Sequence, residues 1–164
     1  MKKFIIVSAL GMVIAMQSAT VLAGKQLYPG SMCVRWTASD VVPTLSHSRI
    51  FNTSSTKEMR VDCPILHQNF NSTTGNNLDD ADIGIIDANP NIVTKCWLAS
   101  RYQDGSVLKG STQYRDTVGY GNHEQNIDFG GTGRNSGNWY YIGCRIPRSH
   151  NGQQSGITYY SGED

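Results

Sequence analysis

The chemistry most readily offered by this chain is that of its carboxylates. Asp79, Asp80, Asp82 and Asp87 lie close together, and Asn76 and Asn77 precede them. Hard cations such as Ca²⁺ take several oxygen ligands, which carboxylates, amide side chains and backbone carbonyls can supply together. The run Asp80-Ala81-Asp82-Ile83-Gly84 echoes the start of a calcium loop. It lacks the third acidic position and the closing Glu. Asp79, Asp80 and Asp82 are therefore candidate ligands of an incomplete set, and neither a tightly held metal nor a cofactor is expected. The competing reading is a solvated loop entering a strand whose Asp82 points outward, since carboxylates mostly sit in water unless paired.

Nucleophilic chemistry finds less support. His47, His67, His123 and His150 form no HxH or HExxH pair, and His123-Glu124 would face opposite ways on a strand. No GxSxG elbow is present, Ser136 having its preceding glycine, Gly133, one residue too early. Gly130-Gly131-Thr132-Gly133 could cradle a phosphate only if a helix followed. A strand pattern follows instead, so a hairpin turn is expected. No catalytic residue is assigned, and the chain is read as more consistent with a non-enzyme.

The aromatic residues carry the remaining signal. Trp97 shares a strand face with Lys95 and stands opposite Cys96; Trp139 and Tyr141 share a face with Arg145 and stand opposite Cys144. Aromatic rings beside cations and amides suit sugars, which offer apolar C–H faces and hydroxyl edges. The plainer reading is that these rings belong to the core or its rim. Trp97, Trp139 and Tyr141 are the candidate ligand contacts, with loops 71–80 and 130–138 expected at the rim.

The elements that would position these residues are strands. Apolar residues alternate with period two over 59–65, 81–87, 92–98, 125–129, 140–146 and 156–160, with shorter candidates at 32–36 and 48–51. Ile157 and Tyr159 are expected to share one face, and Asn76 or Asn77 could cap a short helix around 76–82. The connections are rich in Gly, Asn, Ser and Thr. Short strands with such turns predict an all-β, antiparallel β-sandwich, jelly-roll or immunoglobulin-like, with a β-barrel as the alternative.

Residues 1–23 read as a signal peptide: Lys2-Lys3, an apolar run from Phe4 to Met16 and a close on Val21-Leu22-Ala23. Residues 24–164 then form a single exported β domain, extracellular or periplasmic. The chain has 14 basic and 13 acidic residues, and removal of Lys2 and Lys3 turns a net +1 into −1. A chain so close to neutral has no bulk field for nucleic acid, and no membrane anchor is expected. Cys33, Cys63, Cys96 and Cys144 predict two disulfides in an oxidising compartment. Of three connectivities, loop entropy slightly favours Cys33–Cys63 with Cys96–Cys144. Cys63, Cys96 and Cys144 fall on apolar strand faces, whereas Cys33 opposes Met32, Val34 and Trp36 and suits an edge strand.

Val61-Asp62-Cys63-Pro64-Ile65, Ile85-Ile86-Asp87 before Cys96, Tyr141-Ile142-Gly143-Cys144-Arg145-Ile146-Pro147 and Ser155-Gly156-Ile157-Thr158-Tyr159 together resemble a pattern in small secreted bacterial proteins. The resemblance implies a secreted β domain and no activity, ligand or catalytic residue. The sequence thus points to a non-catalytic binding or surface-interaction module for a glycan or protein partner. A small secreted hydrolase and a self-associating envelope protein are the alternatives.

Overall fold

The computed structural model describes residues 24–66, 78–101, 112–132 and 139–163. The expected leader, His67, and most of loops 71–80 and 130–138 lie outside these residues. Eleven strands are described: β1 (Gln26–Pro29), β2 (Val34–Arg35), β3 (Thr44–Ser46), β4 (Arg49–Asn52), β5 (Met59–Ile65), β6 (Asp80–Ile86), β7 (Lys95–Arg101), β8 (Gln113–Asp116), β9 (Glu124–Asp128), β10 (Trp139–Ile146) and β11 (Ser155–Glu163). A 3₁₀ turn at Gly30–Met32 joins β1 to β2.

The strands form two antiparallel sheets. The first runs β3-β4-β11-β6-β9, with β1 also pairing β11; the second runs β2-β5-β10-β7-β8. Leaving aside β1 to β3, the chain changes sheet at every connection except β7 to β8. That order is a jelly roll, which decides between the two sandwich types the sequence allowed.

The inner faces read directly from the alternation. Met59, Val61, Cys63 and Ile65 of β5 meet Tyr140, Ile142, Cys144 and Ile146 of β10 and Leu98 of β7 in one buried layer. Ile50, Ile83, Ile85, Ile127, Ile157 and Tyr160 supply the facing layer. Full burial of each such side chain contributes about 1.5–3 kcal/mol. The two layers are also stitched by polar groups. Asn52 at the end of β4 donates to the carbonyls of Ile146 and Pro147 and accepts from Ser54 N–H. Asp87, just after β6, is fully buried and accepts from the backbone of Asn89 and Thr94 and from the Thr117 hydroxyl.

Both disulfides have the pairing favoured by loop entropy, Cys33–Cys63 and Cys96–Cys144. Both lie within the second sheet. Cys96 and Cys144 are directly opposed on β7 and β10, and Cys33 enters the edge strand β2 beside β5.

Three expectations are corrected. Residues 80–82 are strand, not helix, because Asp80, Ala81 and Asp82 pair with β11, and Asp82 also pairs with Asp128 of β9; this pairing overrides a local cap signal. Tyr159 does not share a face with Ile157. The register slips between them, so β11 advances two residues where β6 advances one. That bulge turns Tyr160 into the core beside Ile157 and leaves Tyr159 outside. Asp82 is on the outer face as expected, but it is buried.

Candidate functional site

The outer face of the second sheet carries a cavity of about 330 Å³, lined by Trp36, Lys95, Trp97, Arg101, Thr112, Tyr114, Tyr141 and Arg145. Strand alternation places these residues. Residues opposite the buried Cys96, Leu98 and Cys144 must point outward, which selects Lys95, Trp97 and Arg101 on β7 and Tyr141 and Arg145 on β10.

The arrangement depends on Gly143. It is the cross-strand partner of Trp97. A Cβ added there would lie 2.4 Å from Trp97 Cε2 and Cζ2. The missing side chain lets the indole lie flat over β10. Trp36, which extends β2 through its N–H to the Arg60 carbonyl, stands 5.6 Å from Trp97, ring centre to ring centre. The Arg60 guanidinium lies 5.2 Å from the Trp36 ring, a cation–π contact. Across the other side of Trp97, its cross-strand partner Tyr114 of β8 is 70 % exposed.

The charges around these rings are of two kinds. Arg60 is held by Asp40 through Nε and Nη2 at 3.0 and 2.9 Å. Burial pushes the Asp40 carboxyl up, but the hydrogen bonds from Arg60 and Thr37 outweigh it and hold it below its ordinary value. Arg101 sits 4.4 Å above the Tyr141 ring and 3.5 Å from Asp62. Burial raises the Asp62 carboxyl above its ordinary value, with Arg101 opposing. Asp62 Oδ1 and Arg101 Nε are buried without a hydrogen-bond partner.

Of the three aromatics singled out by the sequence, Trp97 and Tyr141 line the cavity, Tyr141 being only 7 % exposed beneath Arg101. Trp139 is 64 % exposed on the same outer face, two residues beyond Tyr141, and is not part of the lining. The described ends of loops 71–80 and 130–138, Leu78–Asp80 and Gly130–Thr132, lie beside the first sheet and do not line the cavity. Trp36, Tyr114 and Arg101 were not singled out. Trp36 had a signal, since it alternates with Cys33. Tyr114 had none, because Gln113–Asp116 shows no apolar alternation.

The candidate metal ligands part company. Asp80 and Asp82 converge with Asp128 of β9, while Asp79 is exposed and outside the group. Lys25 lies across this trio, its ammonium bonded to Asp82 and, at 3.0 Å, to Asp80. Asp82 also accepts from the Ser161 hydroxyl. The hydrogen bond to Asp82 above all holds the Lys25 ammonium above lysine's ordinary range, although burial opposes it. A cation's place among these carboxylates is thus taken by the chain's own ammonium.

No family model and no curated protein matches the chain. Among solved structures, a family two carbohydrate esterase from Cellvibrio japonicus superposes with a TM-score of 0.50 at 8 % identity over 87 % of this chain. The chain spans about a third of that esterase, 34 %. A low-affinity xylan-binding module, CBM86, from Roseburia intestinalis gives 0.49 at 12 % identity, covering 85 % of this chain and 95 % of that one. The CBM36-1 domain of a multidomain xylanase from the hindgut metagenome of Trinervitermes trinervoides gives 0.48 at 13 %, covering 86 % and 97 %.

Proposed function

We propose that this is an exported, non-catalytic carbohydrate-binding module whose binding surface is the outer face of the second sheet. The observation that carries the reading is the indole of Trp97, laid flat over Gly143 between Trp36 and Tyr114 at an open cavity. A partly buried ring left open at a cavity, flanked by the exposed Trp36 and Tyr114, has apolar area still to bury, and the C–H face of a pyranose fits it. Thr112, Lys95 and Arg145 supply hydrogen-bond partners for hydroxyl groups at the same cavity. A hydrolase would need two carboxylates converging in a cleft. Among the described residues no carboxylate lines the cavity beside Trp97, and the convergent trio Asp80, Asp82 and Asp128 lies on the other sheet, with Lys25 bonded to two of its members.

Affinity electrophoresis through gels containing soluble polysaccharides tests the reading. Retardation by at least one polysaccharide is expected, and Trp97→Ala should abolish it while the protein remains folded. Unchanged retardation of folded Trp97→Ala would remove the aromatic surface from the binding site and overturn the proposal.

A further inference from the structure

Lys95, Arg145 and Arg60 stand directly opposite one another on three neighbouring strands, β7, β10 and β5. Like charges in such positions destabilise a sheet. Arg60 is compensated by Asp40. The ion pairs among the described residues are Lys25–Asp80, Lys25–Asp82, Arg60–Asp40 and Arg101–Asp62, so Lys95 and Arg145 have none. Both are exposed and both line the cavity beside Trp97. Asp116 of β8 stands opposite Lys95 on its other side without forming an ion pair, whereas Arg145 lies between two cations and meets no carboxylate across either neighbouring strand.

We infer that the sugar taken by this groove carries an anionic group, a carboxylate or a sulfate ester, with its ring on Trp97 and its anion between Lys95 and Arg145. This deepens the carbohydrate reading and rests on it. Lys95 is two residues from Trp97, and Arg145 is two residues from the Gly143 beneath the indole. Both cations therefore stand about 7 Å along the strands from the stacking position. Arg145 offers a planar fork that can grip both oxygens of a carboxylate, and Lys95 adds a compact charge. A nucleic-acid strand is a poorer match, because it asks for a long basic track along its phosphates. Here the net charge is near zero.

Calorimetric titrations separate the possibilities. The probes are polygalacturonate and alginate oligomers with their carboxyl-reduced forms, dextran sulfate oligomers with unsulfated dextran, and a single-stranded oligonucleotide. The protein should bind at least one acidic oligosaccharide about tenfold or more tightly than its neutralised form, a difference near 1.4 kcal/mol. Which acidic probe wins distinguishes carboxylate from sulfate. Lys95→Gln and Arg145→Gln should each erase the preference while keeping weak binding to the neutral form. Arg49→Gln, which removes an exposed cation from the first sheet, should leave it intact. Equal affinity for charged and neutralised sugars would overturn this inference and leave the carbohydrate reading standing. Binding to no sugar, or tighter binding to the oligonucleotide, would overturn both.

Discussion

The outer faces of the two sheets begin from the same device and end in opposite states. Each has a glycine on a central strand with an aromatic ring laid over it. Gly84 lies under Tyr159, where an added Cβ would come 2.4 Å from Cε1, and Gly143 lies under Trp97. On the first sheet the surroundings are closed by the chain itself. Tyr159 hydrogen-bonds to Asn126, and Lys25 neutralises Asp80 and Asp82. On the second sheet the ring borders a cavity; of its cationic neighbours, Lys95 faces Asp116 of β8 without an ion pair, and Arg145 stands between Lys95 and Arg60 with no carboxylate opposite it. The difference teaches that a ring over a glycine does not by itself make a binding surface. Whether the adjacent charges are answered within the fold decides that.

The comparison can be broken most forcefully through the disulfides, both of which lie behind the open face. Replacing Cys96 and Cys144 with alanine should lower unfolding free energy by about 2–4 kcal/mol, read by chemical denaturation. A loss that small mutants of the first sheet match would show that the open face needs no special support. Next comes the closure of the first sheet. Lys25→Gln leaves the buried Asp82 without its cation and should cost about 1–3 kcal/mol with sugar binding unchanged. The wild type should begin to lose this contribution only above lysine's ordinary value. A lysine whose folded value is raised stabilises below its unfolded value, about 10.4, and stops doing so as pH climbs through the folded one.

Matched glycine substitutions sharpen the contrast. Gly84→Ala should destabilise by about 1–3 kcal/mol, because Tyr159 and the Thr158 hydroxyl occupy the added volume. Gly143→Ala should displace the half-exposed Trp97 indole, with a greater loss of binding than of stability. If Gly143→Ala unfolds the protein while binding by the folded fraction persists, the two faces are equivalent. A smaller effect is expected from pH. Burial raises the Asp62 carboxyl, so its stabilising contribution is complete below about pH 4 and is lost as pH rises through the folded value. Asp40 has the opposite sign, losing its contribution as pH falls through its lowered value. Denaturation curves at several pH values should show Asp62→Asn gaining on the wild type between mildly acidic and neutral pH. The smallest effect belongs to Trp139→Ala, within about 0.5 kcal/mol in stability. Its binding loss, measured against that of Trp97→Ala, reports how far a ligand extends beyond the cavity.

The strands with strict alternation, β5 and β10 above all, were legible to the residue or nearly so, because one face is buried and period two admits a single reading. The outward direction of Trp97, Trp139 and Tyr141 followed from the same rule. Alternation could not see the bulge at 157–159, which needs β6 as a template. It could not see β8, whose Gln113–Asp116 has no apolar face to betray it. Nor could it see that Lys25, distant in sequence, would reach Asp80 and Asp82. The pattern gives the direction of a side chain; its cover depends on which strand lies next to it, and that is topology.

The jelly-roll order has a kinetic consequence. In the second sheet β10 is held between β5 and β7, and in the first β11 is held between β4 and β6. Their registers join residues far apart in the chain, Ile142 to Cys63 and Ile157 to Ile50. A chain emerging N-terminus first presents β4 to β9 as strands awaiting central partners that come last. Such non-local pairing must overcome loop-closure entropy before any contact rewards it, so folding belongs on the slow scale of milliseconds to seconds. Throughout that wait the unpaired edges of β5, β6 and β7 are open to other chains. Closing Cys33–Cys63 and Cys96–Cys144 brings β2 to β5 and β10 to β7, so early oxidation of these pairs would shorten the interval in which aggregation competes with folding.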